Sequence, residues 1–217
     1  MRRIGMVVLS LTLMASPLFG QRYALREARA RGALGADIVV AQPLGEFSRT
    51  GDVAGGLSVF GVTGGGLALR IEGSWMAYDA TYQGYGVSTT SQIGTLGAGP
   101  QLTLGNGALR FYGFATVGGS LFWSNASYSS CGCSGSDWLD GHTTWMRSAG
   151  GGVLLGVNAG HTPLAIDLGM RGVRHDRVTY VPAGGLTQNP DGSFSAQQVT
   201  TPVDMRVLQI GVSIGIR

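Results

Sequence analysis

The sequence predicts an all-β fold, an eight-stranded antiparallel up-and-down barrel that spans a membrane. Three observations predict it. Segments of about ten residues put apolar side chains on one parity and small or polar ones on the other, the length a tilted membrane strand needs. The connections between them are short and long in strict succession. Finally, residues 1–20 read as an export signal, with Arg2 and Arg3 ahead of an apolar run over 4–14 and the turn-prone Ala15-Ser16-Pro17. Hydrocarbon offers no water to satisfy amides, so strands cross it only as a closed cylinder.

The apolar run of the signal is shorter than the roughly 18 residues of a spanning helix, and it carries no Cys that a lipid might modify. Cleavage is expected near Gly20-Gln21. The chain then divides into a signal (1–20), a periplasmic stub (21–32) and the barrel (33–217). Charged residues make up 12% of the chain and Gly numbers 38, against about 25% charge in an ordinary soluble domain, so the predicted surface is unusually apolar. All basic residues besides the three His are Arg. Without Arg2 and Arg3, 13 Arg face 12 acids, which removes any electrostatic case for nucleic acid. Arg does favour forked, phosphate-type contacts.

Segment one, 33–42, turns Leu34, Ala36, Ile38 and Val40 one way and Asp37 the other. Segment two, 54–62, has competing stripes, Leu57 and Val59 against Phe60 and Val62, and is placed by its flanking turns. Segment three, 66–78, sends Leu67, Leu69, Ile71 and Trp75 outward and Arg70, Glu72 and Ser74 inward. Segment four, 93–104, shows Leu96, Ala98, Leu102 and Leu104 to lipid; its Pro100 lacks an amide donor and calls for an edge or a bulge. Segment five, 108–123, puts Leu109, Phe111, Ala115, Val117 and Leu121 outside, with Arg110, Tyr112, Phe114, Thr116 and Ser120 inside. Segment six, 144–158, offers Val153, Leu155 and Val157. Segment seven, 163–173, places Leu164, Ile166, Leu168 and Met170 outside and Asp167, Gly169 and Arg171 inside. Segment eight, 207–217, alternates without a break, from Leu208 through Ile210, Val212 and Ile214 to Ile216.

Residues 63–65, 105–107 and 158–162 form tight turns, of which Asn106-Gly107 is the strongest hairpin signal. The stretches 43–53, 79–92, 124–143 and 181–202 are long loops. Short turns on the periplasmic side and long loops outside put both chain ends in the periplasm of an outer-membrane protein. A soluble lipocalin-like barrel or sandwich is the competing architecture.

The mature chain resembles the small outer-membrane barrels of the OmpA/OmpX/OmpW and opacity-protein type. The resemblance rests on the signal, on the first-strand phrase Gly35-Ala36-Asp37-Ile38-Val39-Val40-Ala41-Gln42-Pro43-Leu44-Gly45-Glu46-Phe47, similar to their Pro-x-Gly-x-Phe strand exit, and on the alternating last strand. It implies folding by the barrel-assembly machinery. The chain departs from the family in ending Ile216-Arg217 rather than on an aromatic residue.

Inward parity gathers Asp37, Glu72 and Asp167 with Arg70, Arg110 and Arg171. Segments four, six and eight bring glycines to the lumen, so long charged side chains are expected to cross it and pair. An eight-stranded interior is just wide enough for side chains to fill. A structural plug is the favoured reading, and a gated ion or proton path is its rival. On the outer wall, Arg147, Arg174 and Arg206 each stand 11 residues from a strand end at Asn158, Pro163 or Arg217. That lifts them about 25 Å, to the level of lipopolysaccharide phosphates. Salt bridges to Asp176 and Asp204 are the competing reading. Trp75, Trp123 and Trp145 fit an aromatic girdle at that level.

Cys131 and Cys133 in the third loop form an expected disulfide in an oxidising compartment, with metal binding alongside His142 as the weaker reading. Catalysis is not expected. Asp140-Gly141-His142 has half the spacing of a barrel aspartyl-protease site, but Asp79 stands alone where an acidic pair is needed. A lipid A acylase or deacylase needs His with Ser and an acid on the barrel surface, and neither His175, pointing inward, nor His161, in a periplasmic turn, answers. No cofactor or metal is expected. The expected protein is a monomer with a structural or surface-interaction role, whose partners are outer-membrane lipid and lipopolysaccharide. The alternative is a passive carrier or channel for small apolar molecules.

Overall fold

The computed structural model describes residues 32–49, 51–82, 87–105, 107–130, 133–159, 162–182, 185–188 and 194–216. Eight long strands close a barrel: β1 (Gly32–Leu44), β2 (Ala54–Gly64), β3 (Leu67–Tyr82), β4 (Val87–Leu104), β5 (Leu109–Ser130), β6 (Cys133–Ala159), β7 (Thr162–Tyr180) and β10 (Val199–Ile216). All pair antiparallel with their chain neighbours, and β1 closes on β10 from Gly32↔Ile216 to Leu44↔Asp204. The competing soluble sandwich is thereby excluded. Two short strands, β8 (Leu186–Gln188) and β9 (Phe194–Ala196), form a separate hairpin in the fourth connection.

The predicted parity holds throughout. Leu34, Ile38, Leu69, Ile71, Leu96, Val117, Leu168, Ile210 and Val212 stand on the outer wall, and Ile38 alone is 62% exposed. A continuous apolar coat of this kind far exceeds the patch a water-soluble monomer carries, and hydrocarbon is the solvent it fits. In β2 the competition is settled for Leu57 and Val59 outside, with Phe60 and Val62 buried inside. Register with β1 decides it, since Ala36, an outward residue, opposes Val59. Glycines at positive φ make the tight turns: Gly64 (112°), Gly105 (98°) and Gly107 (106°).

Three features differ from the sequence expectation. Pro100 sits in the interior of the closed sheet with no bulge, paired with Leu69 on one side. On the other side the ladder lapses between Ala98↔Val117 and Gln101↔Phe114 at unchanged register, so the missing amide costs a local gap and no extra residue. Secondly, the strands run further outward than the apolar stripes do. Stretches expected as the second and third long loops are mostly strand, with β3 reaching Tyr82, β4 starting at Val87, β5 reaching Ser130 and β6 starting at Cys133, and β10 starts at Val199 rather than near 207. Beyond the bilayer no lipid face has to be supplied, so the backbone ladder continues without an alternating pattern to betray it. Register shifts at Tyr78/Thr81, Ser124/Asn125 and Pro202/Asp204 mark that outer rim.

Thirdly, the outer half of the lumen is apolar. Val39, Met76, Ile93, Phe122, Met146, Val173, Val203, Met205 and Val207 fill it like the core of a soluble domain. Phe47, carried by a 3-10 turn at Phe47–Arg49, caps this core. Its ring meets Tyr78 edge-on at 5.6 Å and Tyr180 at 5.8 Å.

Candidate functional site

The chemistry of the lumen lies below that apolar core. Arg70 and Glu72 are two residues apart on β3 and therefore share the inward face. Arg70 Nε donates to Glu72 Oε2 at 2.8 Å, and its Nη1 donates to Gln101 Oε1 of β4 at 3.1 Å. The guanidinium plane is sandwiched between Phe60 of β2, 4.1 Å from the ring centre, and Phe114 of β5, 4.3 Å away. Such faces attract a desolvated cation. From the opposite wall, Arg171 of β7 brings Nη1 to 2.9 Å from the same Glu72 Oε2, while Thr116 of β5 donates to Oε1 at 2.9 Å. All three charged side chains are at most 3% exposed. One carboxylate thus holds two guanidiniums, and both its oxygens are satisfied.

Asp167 of β7 belongs to a neighbouring relay. Tyr112 donates its hydroxyl to Asp167 Oδ1 at 2.6 Å and accepts from Gln209 Nε2 at 3.0 Å. Asp37 of β1 is equally buried, and neither of its carboxylate oxygens has a hydrogen-bond partner among the described residues. Arg110 faces the lumen half-buried on β5. Glycines make room for these groups. A Cβ on Gly150 would lie 2.5 Å from Arg171 Cβ, one on Gly152 2.7 Å and one on Gly169 2.5 Å from the Tyr112 hydroxyl. Six residues were singled out by sequence, and three of them, Arg70, Glu72 and Arg171, form one ion-paired group. Gln101, Thr116, Tyr112 and Gln209, which complete the hydrogen bonding, were legible only as inward-facing polar positions, and the flanking Phe114 only as an inward aromatic, while the facing of Phe60 was left open between the two stripes of its segment.

On the outer wall, Arg147 of β6 and Arg174 of β7 are directly opposed, and Arg174 faces Asp204 of β10 on its other side. Arg206 opposes Gly172. Arg147 reaches Asp176 at 3.4 Å with both side chains exposed, a pair of small energetic weight. Beside Arg174 and Arg206 a groove of about 410 Å³ is lined further by Ala149, Gly151, Met170 and Gly172. Trp75 and Trp145 stand outward on the wall, the former donating Nε1 to Gln92 at 2.7 Å.

Cys131 lies outside the described residues, as does the side chain of Cys133, so the disulfide expectation has no structural counterpart here. The same holds for His161 and for the side chains of Asp79 and Asp140. His142 sits in β6 opposite Phe122. His175 is buried inside, one ring nitrogen 2.9 Å from the Val203 carbonyl and the ring edge-on to Phe122 at 5.1 Å. Among the described residues no group of three or more His, Cys, Asp or Glu side chains is placed to hold a metal.

A closed antiparallel cylinder with an apolar outer wall and a polar, side-chain-filled interior defines the class: an eight-stranded β-barrel of the outer-membrane type. Among solved structures the chain is similar to Neisserial surface protein A, at 15% identity and TM-score 0.47, with 86% of this chain and 98% of that chain covered. It is also similar to a major outer membrane protein from Thermus thermophilus, at 13% identity and TM-score 0.46 over 84% of this chain and 98% of that one. Ail, the attachment invasion locus protein of Yersinia pestis, aligns at 13% identity and TM-score 0.42 over 84% and 95%. No family model and no curated protein matches the sequence.

Proposed function

We propose that this protein is a closed outer-membrane barrel that works at its surface rather than through its lumen, with both termini in the periplasm. The observation that carries the reading is the Arg70–Glu72–Arg171 group, which spans the interior from β3 to β7 with 2.8 Å and 2.9 Å contacts. Opening a path would leave at least one buried charge without its partner, at a cost of about 3–5 kcal/mol. The apolar core capped by Phe47 adds a second seal above it. Function then falls to the strands and loops that extend beyond the apolar band and to the outer wall, including adhesion or envelope contacts. On that wall, the directly opposed Arg147 and Arg174 favour an anionic neighbour, since like charges across a ladder repel. Phosphates of outer-leaflet lipopolysaccharide are the fitting partner for their forks and that of Arg206.

Planar-bilayer recording of the purified barrel tests the closed lumen. The expected result is no steady conductance in the wild-type protein. A steady conductance abolished by Arg70→Ala or Arg171→Ala would establish a gated path instead. For the rim, an Arg147→Gln/Arg174→Gln/Arg206→Gln variant is expected to co-purify with less lipopolysaccharide than wild type, and equal amounts would remove that partner.

A further inference from the structure

Beyond the closed cylinder, β7 and β10 run on as a two-stranded ribbon. Among the described residues the pairing of β6 with β7 begins at Met146↔His175, and that of β1 with β10 ends at Leu44↔Asp204. Residues 177–180 and 199–202 therefore pair only with each other, from Val199↔Tyr180 to Pro202↔Arg177. A two-stranded ribbon is marginal on its own. Side chains hold this one against the mouth: the Tyr180 ring lies 5.8 Å from Phe47 and 6.3 Å from Tyr78, and Thr201 donates to Glu46 Oε2 at 3.2 Å.

At the root of the ribbon sits a bulge that contains a histidine. Between Pro202↔Arg177 and Asp204↔Arg174, two residues of β7, His175 and Asp176, oppose the single Val203 of β10. His175 turns inward and places Nδ1 2.9 Å from the Val203 carbonyl. A carbonyl only accepts, so Nδ1 carries the proton and the neutral ring presents a bare lone pair at Nε2. That nitrogen has no hydrogen-bond partner among the described residues. The side chain is 3% exposed and sits against Phe122, Met146 and Val203 of the apolar core.

The fold thus accommodates the neutral ring and gives a charged one nothing to bond. A proton on Nε2 would add a donor and a charge where no acceptor waits. Asp176 and Asp204 stand with Arg147, Arg174 and Arg206 on the outer side of the wall, and Arg177 is exposed on the ribbon. Glu46 is bonded to Thr201, Arg49 is exposed on the 3-10 turn, and His142, in register with Phe122, is half-buried on β6. Tyr78 and Tyr180 above titrate only in alkali. A charged His175 ring therefore reaches counter-ions only by leaving the core towards Asp176 and Asp204, and that movement breaks the bond to Val203.

We propose that the ribbon is an acid-released flap at the outer mouth, latched at its root by the neutral His175 ring and freed from Phe47 and Tyr78 when that ring takes up a proton. The latched form is complete above the ordinary histidine range of about 6.5 and loses stability as pH falls below it, because only the released ring binds the proton readily. Release exposes the apolar core between Phe47 and Phe122 to the outside. The flap is independent of the closed-lumen reading, since the Arg70–Glu72–Arg171 group takes no part in it.

Hydrogen exchange read by mass spectrometry on the purified barrel in detergent, corrected for the intrinsic rate at each pH, tests the latch. Amides of residues 177–180 and 199–201 are expected to lose about tenfold or more in protection between about pH 7.5 and about pH 5, while those of 207–216 keep theirs. His175→Gln offers Val203 an amide donor and does not titrate, so its ribbon is expected to be equally protected at both pH values. His142→Gln should respond as wild type does. Equal protection of the wild-type ribbon at both pH values would overturn the proposal. So would an acid response that persists in folded His175→Gln, one that vanishes in His142→Gln, or one shared equally by 207–216, which would mean unfolding of the whole barrel. Should His175→Gln not fold, the wild-type and His142→Gln series decide the matter.

Discussion

Glu72 and Arg171 meet at 2.9 Å although β3 and β7 are diametrically opposed in the barrel, four strands apart in either direction around the closed sheet. The pair is therefore a cross-brace of the cylinder as well as a charge contact. Removing one end strands the other. Glu72→Gln keeps the shape but leaves Arg70 and Arg171 without a counter-ion, and a loss of about 3–5 kcal/mol is expected in urea unfolding from lipid or detergent. A loss below about 1 kcal/mol would mean that the brace carries no weight.

Two glycines separate packing from composition. On Gly150 a Cβ would lie 2.4 Å from the Met170 carbonyl and 2.5 Å from Arg171 Cβ, contacts that backbone cannot yield cheaply. Gly150→Ala is expected to cost about 1–3 kcal/mol. Gly172, with nothing within 4 Å of a Cβ, is the control, and Gly172→Ala should stay within about 0.5 kcal/mol of wild type. Equal unfolding curves for the two variants would contradict the lumen geometry.

The aromatic cap should matter for stability and not for closure. Phe47 is 1% exposed and touches Tyr78 and Tyr180 edge-on, so Phe47→Ala is expected to lose about 3–5 kcal/mol. Protease sensitivity of the outer connections should rise with it. Bilayer recordings of the same variant should remain silent, since the Arg70–Glu72–Arg171 group still spans the interior. Conductance appearing on loss of Phe47 alone would shift the seal to the mouth.

The lipid-facing wall predicts a depth-dependent penalty for charge. Ile210 of β10 pairs with Ile38 of β1 and Leu168 of β7 within the exposed apolar coat. Ile210→Arg is expected to cost about 2–4 kcal/mol near the bilayer midplane, read as a lowered yield of heat-modifiable, membrane-inserted protein. The neighbouring Arg206→Gln, at the polar end of the same strand, should insert normally.

Much of the fold was legible because lipid imposes a strict rule on each strand separately. Ile38, Leu69, Leu168 and Ile210 follow a period of two that needs no knowledge of the neighbours. β2 was harder, since Leu57 and Phe60 compete until Ala36 of the adjacent strand fixes the phase. The outer ends of β3 to β6 carried no such rule. The apolar alternation stops there, so Ser, Thr and Gly read as loop although the ladder runs on. Inward parity found Arg70, Glu72 and Arg171, whereas no pattern within a strand announces that Phe60 and Phe114 enclose Arg70 or that Asp37 is left out of the ion pairing.

By itself the sequence determined the strand count, the two faces of each segment and the removal of charge from the outer wall, because these answer to the surrounding solvent one residue at a time. Only the tertiary structure decided which inward groups touch: Glu72 with Arg171, Tyr112 with Asp167, and the Asp37 carboxylate leaning over Gly211. Those choices depend on closure and on the register between strands whose paired residues lie as far apart in the chain as Gly32 and Ile216, and no local alternation encodes them. A buried charge is stable only where a specific partner arrives, and arrival is a property of the closed cylinder.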